Sequence, residues 1–236
     1  MTLPLAILVG GLATRLLPIT KDIPKSMIRI KGRPFIDWQL ELIANSGIKK
    51  VVLCVSHRSE MIENHVGNGS NYNLEVLYSH DGARQMGTGG AIIKALPKLG
   101  SEFMVMYGDS YLAIDYEKIS SVFLALNIPG LLTVFRNENR YDKSNILFDG
   151  DLIQEYSKNN PKPNYHYIDY GLSCFKASVF NSNLSQDPID LADFYTQLSV
   201  QGRLGGYEVK NRFYEIGSVE GIKDFSYFIE RNRSVV

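Results

Sequence analysis

Two glycines, two cations and a handful of carboxylates carry the chemistry that this sequence can be read for. Leu3–Val9 (LPLAILV) is an almost wholly apolar run that leads through Leu8 into GGLATRLLPITKDIPKSM, residues 10–27. Gly10 and Gly11 carry no Cβ, so the backbone there can turn sharply and its N–H groups can converge on an anion. Thr14 adds a hydroxyl, and Arg15 brings a planar cation suited to phosphate oxygens. Lys25 is a second, mobile cation beyond Pro18 and Pro24. This is a phosphate cradle by residue type. The bland alternative is a glycine turn with two surface cations. GxGxxG is absent from this stretch and GxxxxGK[ST] from the whole chain, so neither a dinucleotide fingerprint nor a P-loop is supported.

A second glycine-rich stretch, GTGGA at 87–91, follows a strand-like run and a polar turn and opens a helix-like one. Its Gly87, Thr88, Gly89 and Gly90 could present N–H groups and a positive helix end to a nucleotide, or could serve close helix packing. Asp109 ends the apolar run FMVMYGD, and a carboxylate pushed out at a strand end suits a metal ion held largely by phosphates and water. Asp115 and Asp142 are weaker metal candidates, since one fits a helix cap and the other a polar loop. Arg136 reads as a solvated strand-end charge. The four histidines show no metal-ligand or nucleophile-partner spacing.

GGLATRLLPITKDIPKSM resembles the signature of the sugar-1-phosphate nucleotidyltransferases: a Gly-rich loop, Thr-Arg-Leu, a proline, then Pro-Lys before an apolar residue. That resemblance implies attack of a sugar-1-phosphate oxygen on the α-phosphorus of a nucleoside triphosphate, giving a nucleotide-sugar and pyrophosphate. It implies that Arg15 holds the leaving end of the triphosphate and that Lys25 bridges the α-phosphate and the acceptor phosphate. Leu8, Gly10, Gly11, Ala13, Thr14 and the 87–90 segment would then bind the nucleotide. The Gly-Thr-x-Gly-Ala form resembles the guanylyltransferase branch, with heptose-1-phosphate and mannose-1-phosphate members, which favours GTP over CTP or UTP. The same resemblance makes Asp109 a magnesium ligand. Where a second aspartate ligand is expected the text is FYEIGSVE, so Glu215 stands there with one methylene more. IDYGLSCF resembles the sugar-side strand, which nominates Tyr170 and Gly171, with Asp169 on hydroxyls. IQEYSKN nominates Glu155 and Lys158 for the sugar phosphate. Glu215 also leaves open a non-catalytic nucleotide-sugar sensor, and the acceptor could be a non-sugar phosphate.

The elements that must position these groups alternate. Runs at 49–56, 73–79 and 103–109 read as strands, and 34–47, 59–67, 87–96 and 115–127 as helices, from their periods of two and 3.6. Such order predicts an α/β, Rossmann-like, mainly parallel sheet flanked by helices, with its ligands beyond the carboxyl ends of the strands. From Gly130 the strand-like runs 130–136, 144–148, 151–157 and 168–175, with a hairpin signal at Asp149-Gly150, predict an antiparallel substrate-binding half. Helices follow at 190–202 and 218–232. The whole is expected to be one domain over 1–236 of the nucleotide-diphospho-sugar transferase type, with halves at about 1–129 and 130–236. The aromatics of the last helix fit its core or a homo-oligomer contact.

Composition narrows the partners. With 44% hydrophobic and 21% charged residues the chain is of ordinary globular type, and 25 basic against 25 acidic residues give no net field for nucleic acid or an anionic membrane. Cys54 and Cys174 are too few for a disulfide framework and sit in strand-like runs, as buried thiols of a reducing compartment do. The first apolar run, about seven residues, is too short for a signal-peptide core or a membrane span, so a cytoplasmic protein is expected.

Overall fold

The structure, a computed structural model, describes residues 2–11, 16, 22–82, 86–181 and 188–232. Arg15, Thr14 and Ala13 lie outside the described residues. The fully apolar β1 (Leu5–Leu8) is central, as a strand covered on both faces must be. A short ribbon of β2 (Arg29–Ile30) and β3 (Arg33–Pro34) leads into α1 (Phe35–Asn45), and β4 (Lys50–Val55), α2 (Ser59–Val66), β5 (Glu75–His80), α3 (Gly87–Leu99) and β6 (Glu102–Tyr107) follow. Then come β7 (Ser110–Tyr111) and α4 (Tyr116–Leu126), capped by the Asp115 carboxylate on the Lys118 amide at 2.9 Å. Asp115 is thus a helix cap, and Asp142 accepts from the Lys143 amide within its own loop.

The second half brings β8 (Gly130–Arg136), β9 (Ile146–Phe148), β10 (Ile153–Tyr156), β11 (Tyr167–Lys176), α5 (Leu191–Val200), β12 (Leu204–Val209), β13 (Tyr214–Glu215) and α6 (Val219–Arg231). One sheet runs through both halves in the order β10-β9-β11-β6-β1-β4-β5, with β8 beside β11 and β12 beside β8. The expected parallel order holds for β6, β1, β4 and β5. β9, β10 and β11 pair antiparallel as expected.

The expected antiparallel half gains one parallel strand that the sequence does not announce, β12, which pairs parallel to β8 from Leu204↔Gly130 to Val209↔Phe135. Its glycine pair hides it from a propensity reading. A Cβ on Gly205 would overlap Ile128, and one on Gly206 would overlap the Phe148 ring, so close packing demands the residues that weaken the strand signal.

Side chains alternate across the sheet. Leu5, Ile7, Val51, Leu53 and Met104 join α1, α2 and α4 in one core cluster, while Ala6, Val52, Phe103 and Val105 join α3 and α5 in the other. A third cluster seats α6 through Phe225 and Ile229 against Phe35, Trp38 and Tyr111. Among the described residues, no helix is long and apolar enough to cross a membrane.

Candidate active site

The loops that leave β1, β5 and β6 open onto a cavity of about 380 Å³ at the carboxyl edge of the parallel strands. Leu8, Gly10, Gly11, Lys25, Gly87, Thr88 and Asp109, all anticipated, line it. Gly10 holds its place by close approach to the next strand's exit. The Ser56 hydroxyl donates to the Gly10 carbonyl at 2.5 Å, and a Cβ on Gly10 would stand 2.9 Å from that same oxygen. Gly108 has a similar task, because a Cβ there would overlap the Leu8 carbonyl. Its amide donates to that carbonyl at 3.1 Å, which fixes Asp109 directly beside the exit of β1.

Lys25 begins a single 3-10 turn, Lys25–Met27, and its ammonium reaches the Asp109 carboxylate at 2.9 Å across 84 residues of chain. Both side chains keep part of their surface in solvent, 21% and 30%, so the pair is accessible rather than locked in the core.

Glu215 comes to the same place through the β13–β7 ribbon, in which it pairs with Ser110 and the Ile216 amide donates to the Asp109 carbonyl at 2.9 Å. The extra methylene of glutamate is absorbed by a glycine. A Cβ on Gly217 would lie 2.5 Å from Glu215 Oε2 and 3.3 Å from Asp109 Oδ2, so the two carboxyl groups share the space over that bare Cα. The Gly217 amide and the Ser218 hydroxyl, the latter at 2.9 Å, donate to Glu215. Two carboxylates of hard oxygen suit magnesium, which usually takes one or two carboxylates beside phosphates and water. Among the described residues no group of three or more His, Cys, Asp or Glu is placed to hold a metal ion.

The second glycine stretch divides. Gly87 and Thr88 face the cavity, but the amides of Gly89 and Gly90 donate to the Ile189 carbonyl at 2.9 and 3.3 Å and do not face a nucleotide. A Cβ on Gly89 would stand 2.8 Å from the Phe194 ring. These two glycines let α3 pack against the segment before α5, and this corrects their expected role. Thr88 donates to Asp190 at 2.8 Å and accepts from the Leu191 amide at 2.8 Å.

Lys158, expected at the sugar phosphate, reaches the other oxygen of Asp190 at 2.5 Å, so one carboxylate joins this lysine to the threonine of the cavity wall. Glu155 points elsewhere: its carboxylate binds Lys162 and accepts from the Tyr165 hydroxyl at 2.7 Å. Arg136 pairs with Glu138 at 3.0 Å, away from the cavity.

Tyr170 is corrected as well. Strand alternation turns its ring to the core against Phe135 and Phe213, at 1% exposure, while the Asp169 carboxylate meets the Tyr107 hydroxyl at 3.4 Å. Gly171 has φ +104° at the irregularity where the β11–β8 register shifts, and its amide donates to Asp169 at 2.8 Å. Burial pushes the Asp169 carboxyl up to about 6, against the Gly171 amide, the Tyr107 hydroxyl and the charge of Lys158.

Sequence reading passed over Tyr107, Pro188 and Asp81 in the cavity wall, and Asp190 behind it. An acid in a polar turn carries no pattern that separates it from any other turn former. Cys54, a buried strand thiol as expected, also lines the cavity, and burial holds its pKa up at about 12, which leaves it a neutral apolar surface.

The chain is similar to several known proteins. D-glycero-alpha-D-manno-heptose 1-phosphate guanylyltransferase of Campylobacter jejuni is 28% identical over 96% of this chain and 98% of its own length. N-acetylmuramate alpha-1-phosphate uridylyltransferase of Neisseria meningitidis is 34% identical over 92% and 94%. The crystal structure of HddC from Yersinia pseudotuberculosis complexed with GMP-PN superposes with a TM-score of 0.78 over 96% of this chain and 99% of that one, at 23% identity, a likeness of fold. The family described as nucleotidyl transferase matches residues 5–231, and with that span covering both glycine segments and both carboxylates, the chain belongs to the nucleotidyl transferase family.

Proposed function

We propose that this enzyme transfers a nucleoside monophosphate to a sugar-1-phosphate, with GTP as the favoured donor and a heptose or mannose type acceptor. An oxygen of the acceptor phosphate attacks the α-phosphorus, the bond to the bridging oxygen of the β-phosphate breaks, and nucleotide-sugar and pyrophosphate leave. The observation that carries this reading is the Lys25–Asp109 pair at 2.9 Å on the rim of a glycine-lined cavity. The acceptor phosphate is already ionised, so alignment and charge neutralisation are needed more than a base.

Lys25, on leaving Asp109, can set its charge between the α-phosphate and the acceptor phosphate. Asp109 and Glu215 would hold Mg2+, which supplies positive charge to the phosphate oxygens when bound. Gly10 and Gly11 admit the triphosphate backbone-close, Arg15 is assigned to its leaving end, and Lys158 to the acceptor phosphate. The guanylyltransferase from Campylobacter jejuni and the GTGGA form support GTP. The uridylyltransferase from Neisseria meningitidis supports UTP as the second reading.

Pyrophosphate release, followed over the common triphosphates against a panel of sugar-1-phosphates, is expected only when triphosphate, acceptor and Mg2+ are all present. Lys25→Ala should lower the turnover of the best pair by roughly 10²–10³, the cost of one missing donor in a phosphoryl-type transition state, with the melting temperature nearly unchanged. Release without an acceptor, or an unaffected Lys25→Ala rate, overturns the assignment.

A further inference from the structure

One polar side chain interrupts the buried apolar stripe of α1. Phe35, Ile36, Leu40 and Ile43 follow one another at helical spacing, and Gln39 stands among them, one turn after Phe35 and one before Ile43, with 1% of its surface exposed. An apolar residue there would complete the stripe. Instead, Gln39 Nε2 donates to the main-chain oxygen of Ser110 at 2.7 Å, and Gln39 Oε1 is buried with no hydrogen-bond partner among the described residues. The Ser110 carbonyl fixes which way round the amide lies, because only its nitrogen can donate. A buried amide satisfied at one end costs stability, and helix packing alone gives no reason to keep it.

What the amide holds supplies the reason. Ser110 follows Asp109 in the chain and is the cross-strand partner of Glu215 in the β13–β7 ribbon. Both carboxylates that share the space over Gly217 are therefore carried by residues tied directly to the one that Gln39 grips. The strip 108–110 is pinned at three points: the Gly108 amide on the Leu8 carbonyl at 3.1 Å, the Asp109 carbonyl on the Ile216 amide at 2.9 Å, and the Ser110 carbonyl on Gln39. The first two bonds join main chain to main chain. The third depends on one side chain.

We propose that Gln39 is a positioning residue for the metal site. By holding the Ser110 carbonyl it keeps Asp109 and Glu215 together for one divalent cation, an inference that rests on their being the Mg2+ ligands of the nucleotidyl-transfer reading. Mg2+ tolerates little distortion of its octahedral shell, so carboxylates that drift hold it more weakly. The restraint matters most when Lys25 leaves Asp109 for the phosphates. The ammonium then no longer offsets the charge on Asp109, and the two carboxylates repel each other until a cation is seated. Gln39 supplies restraint without charge, whereas a lysine or arginine in its place would compete with that cation.

The test compares the wild type with Gln39→Met and Gln39→Leu, which put an apolar side chain of similar volume in the stripe and remove the donor. Mn2+ binding to each protein, without nucleotide or acceptor, is followed by electron paramagnetic resonance of the free ion, and the Mg2+ dependence of pyrophosphate release is measured beside it. The Mn2+ dissociation constant and the half-maximal Mg2+ concentration should both rise by about 10-fold or more, as happens when a group behind a metal ligand is lost. Melting temperatures should stay within a few degrees of the wild type, since the variants lose one hydrogen bond and one unpartnered oxygen together. A side chain that served packing alone would shift the melting temperature and leave both metal titrations where they are. One measurement needs no variant: in the wild type, Mg2+ should slow solvent exchange of the Gln39 side-chain amide protons, as followed by NMR. Unchanged Mn2+ affinity in the variants, or amide protons indifferent to Mg2+, overturns the inference while pyrophosphate release leaves nucleotidyl transfer standing. A wild type that binds no Mn2+ removes the carboxylate pair as the metal site and the inference with it. Gln39-dependent Mn2+ binding in a protein that turns over no triphosphate with any sugar-1-phosphate of the panel does the reverse: it upholds the positioning role and removes the reaction.

Discussion

The carboxyl of Asp169 meets the tyrosine-lined floor between the two halves, where the Tyr107 hydroxyl stands 3.4 Å away, and burial lifts its pKa to about 6. That value lies above the ordinary carboxylate pKa of about 3.9 expected of the unfolded chain. A raised folded pKa means that the native state keeps its proton longer, so the contribution to stability is complete below pH 4 and is lost as pH rises through about 6. At about 1.36 kcal/mol per pH unit, the loss amounts to ~2–3 kcal/mol by neutral pH. Asp169→Asn keeps an oxygen for the Gly171 amide and removes the charge. It should melt with the wild type at pH 4 and several degrees above it at pH 8, as thermal scans at the two pH values would record; a wild type that is the more stable at pH 8 refutes this. Residues differ in how far sequence reveals them. Lys25 and Asp109 are legible because each stands at a fixed place in a motif, and Asp109 also follows closely on an apolar strand. Asp81 and Asp190 are not, since an acid beside a turn or at a helix start is chemically ordinary until the fold shows what it faces. Tyr170 misleads for the opposite reason: it stands beside a glycine in a motif-like run, and the alternation of the strand sends its ring into the core.

Among the elements, the helices and long strands follow from apolar periodicity, whereas the two-residue strands β7 and β13 have no period to read. Yet that ribbon brings Glu215 to Asp109, so the most functional strand pair is among the least legible. The ribbon works with the start of α6. Ser218 caps the helix by accepting from the Gly221 amide at 2.9 Å and donates to the Glu215 carboxylate, also at 2.9 Å. Gly217 leaves room above its Cα for both carboxyl groups, and its φ is not in the left-handed region, so alanine fits the backbone there. The added methyl of Gly217→Ala would displace the flexible Glu215 carboxyl rather than the chain. The melting temperature should stay within a few degrees of the wild type, while the Mg2+ concentration for half-maximal pyrophosphate release rises by about 10-fold or more, in line with the loss of supporting geometry around a metal ligand. A magnesium titration that is unchanged in Gly217→Ala would remove Glu215 from the metal site.

At the scale of the molecule, the alternating half and the hairpin half meet in a single strand. β11 pairs with β6 from Leu172↔Met106 to Lys176↔Glu102, and with β8 on its other edge from Tyr167↔Arg136 to Phe175↔Gly130. Removing the second half would therefore strip one edge of β6, a central strand of the parallel sheet, and expose a row of unpaired backbone groups. The two core clusters also cross the boundary: Leu131 and Leu172 pack with Leu5 and Ile7 on one face, and Phe175 and Phe194 with Ala6 and Ile92 on the other. Neither half keeps its core without the other, which predicts one cooperative transition in calorimetry, with calorimetric and van't Hoff enthalpies in agreement. Because the cavity borrows Asp109 from the first half and Pro188 from the second, a bound nucleotide should move that single transition upward as its concentration rises, by about 2.7 kcal/mol at a hundred times Kd, without splitting it. Two resolved transitions, with only the earlier or the later one responding to nucleotide, would mean that the halves fold as separate units and that the site belongs to one of them.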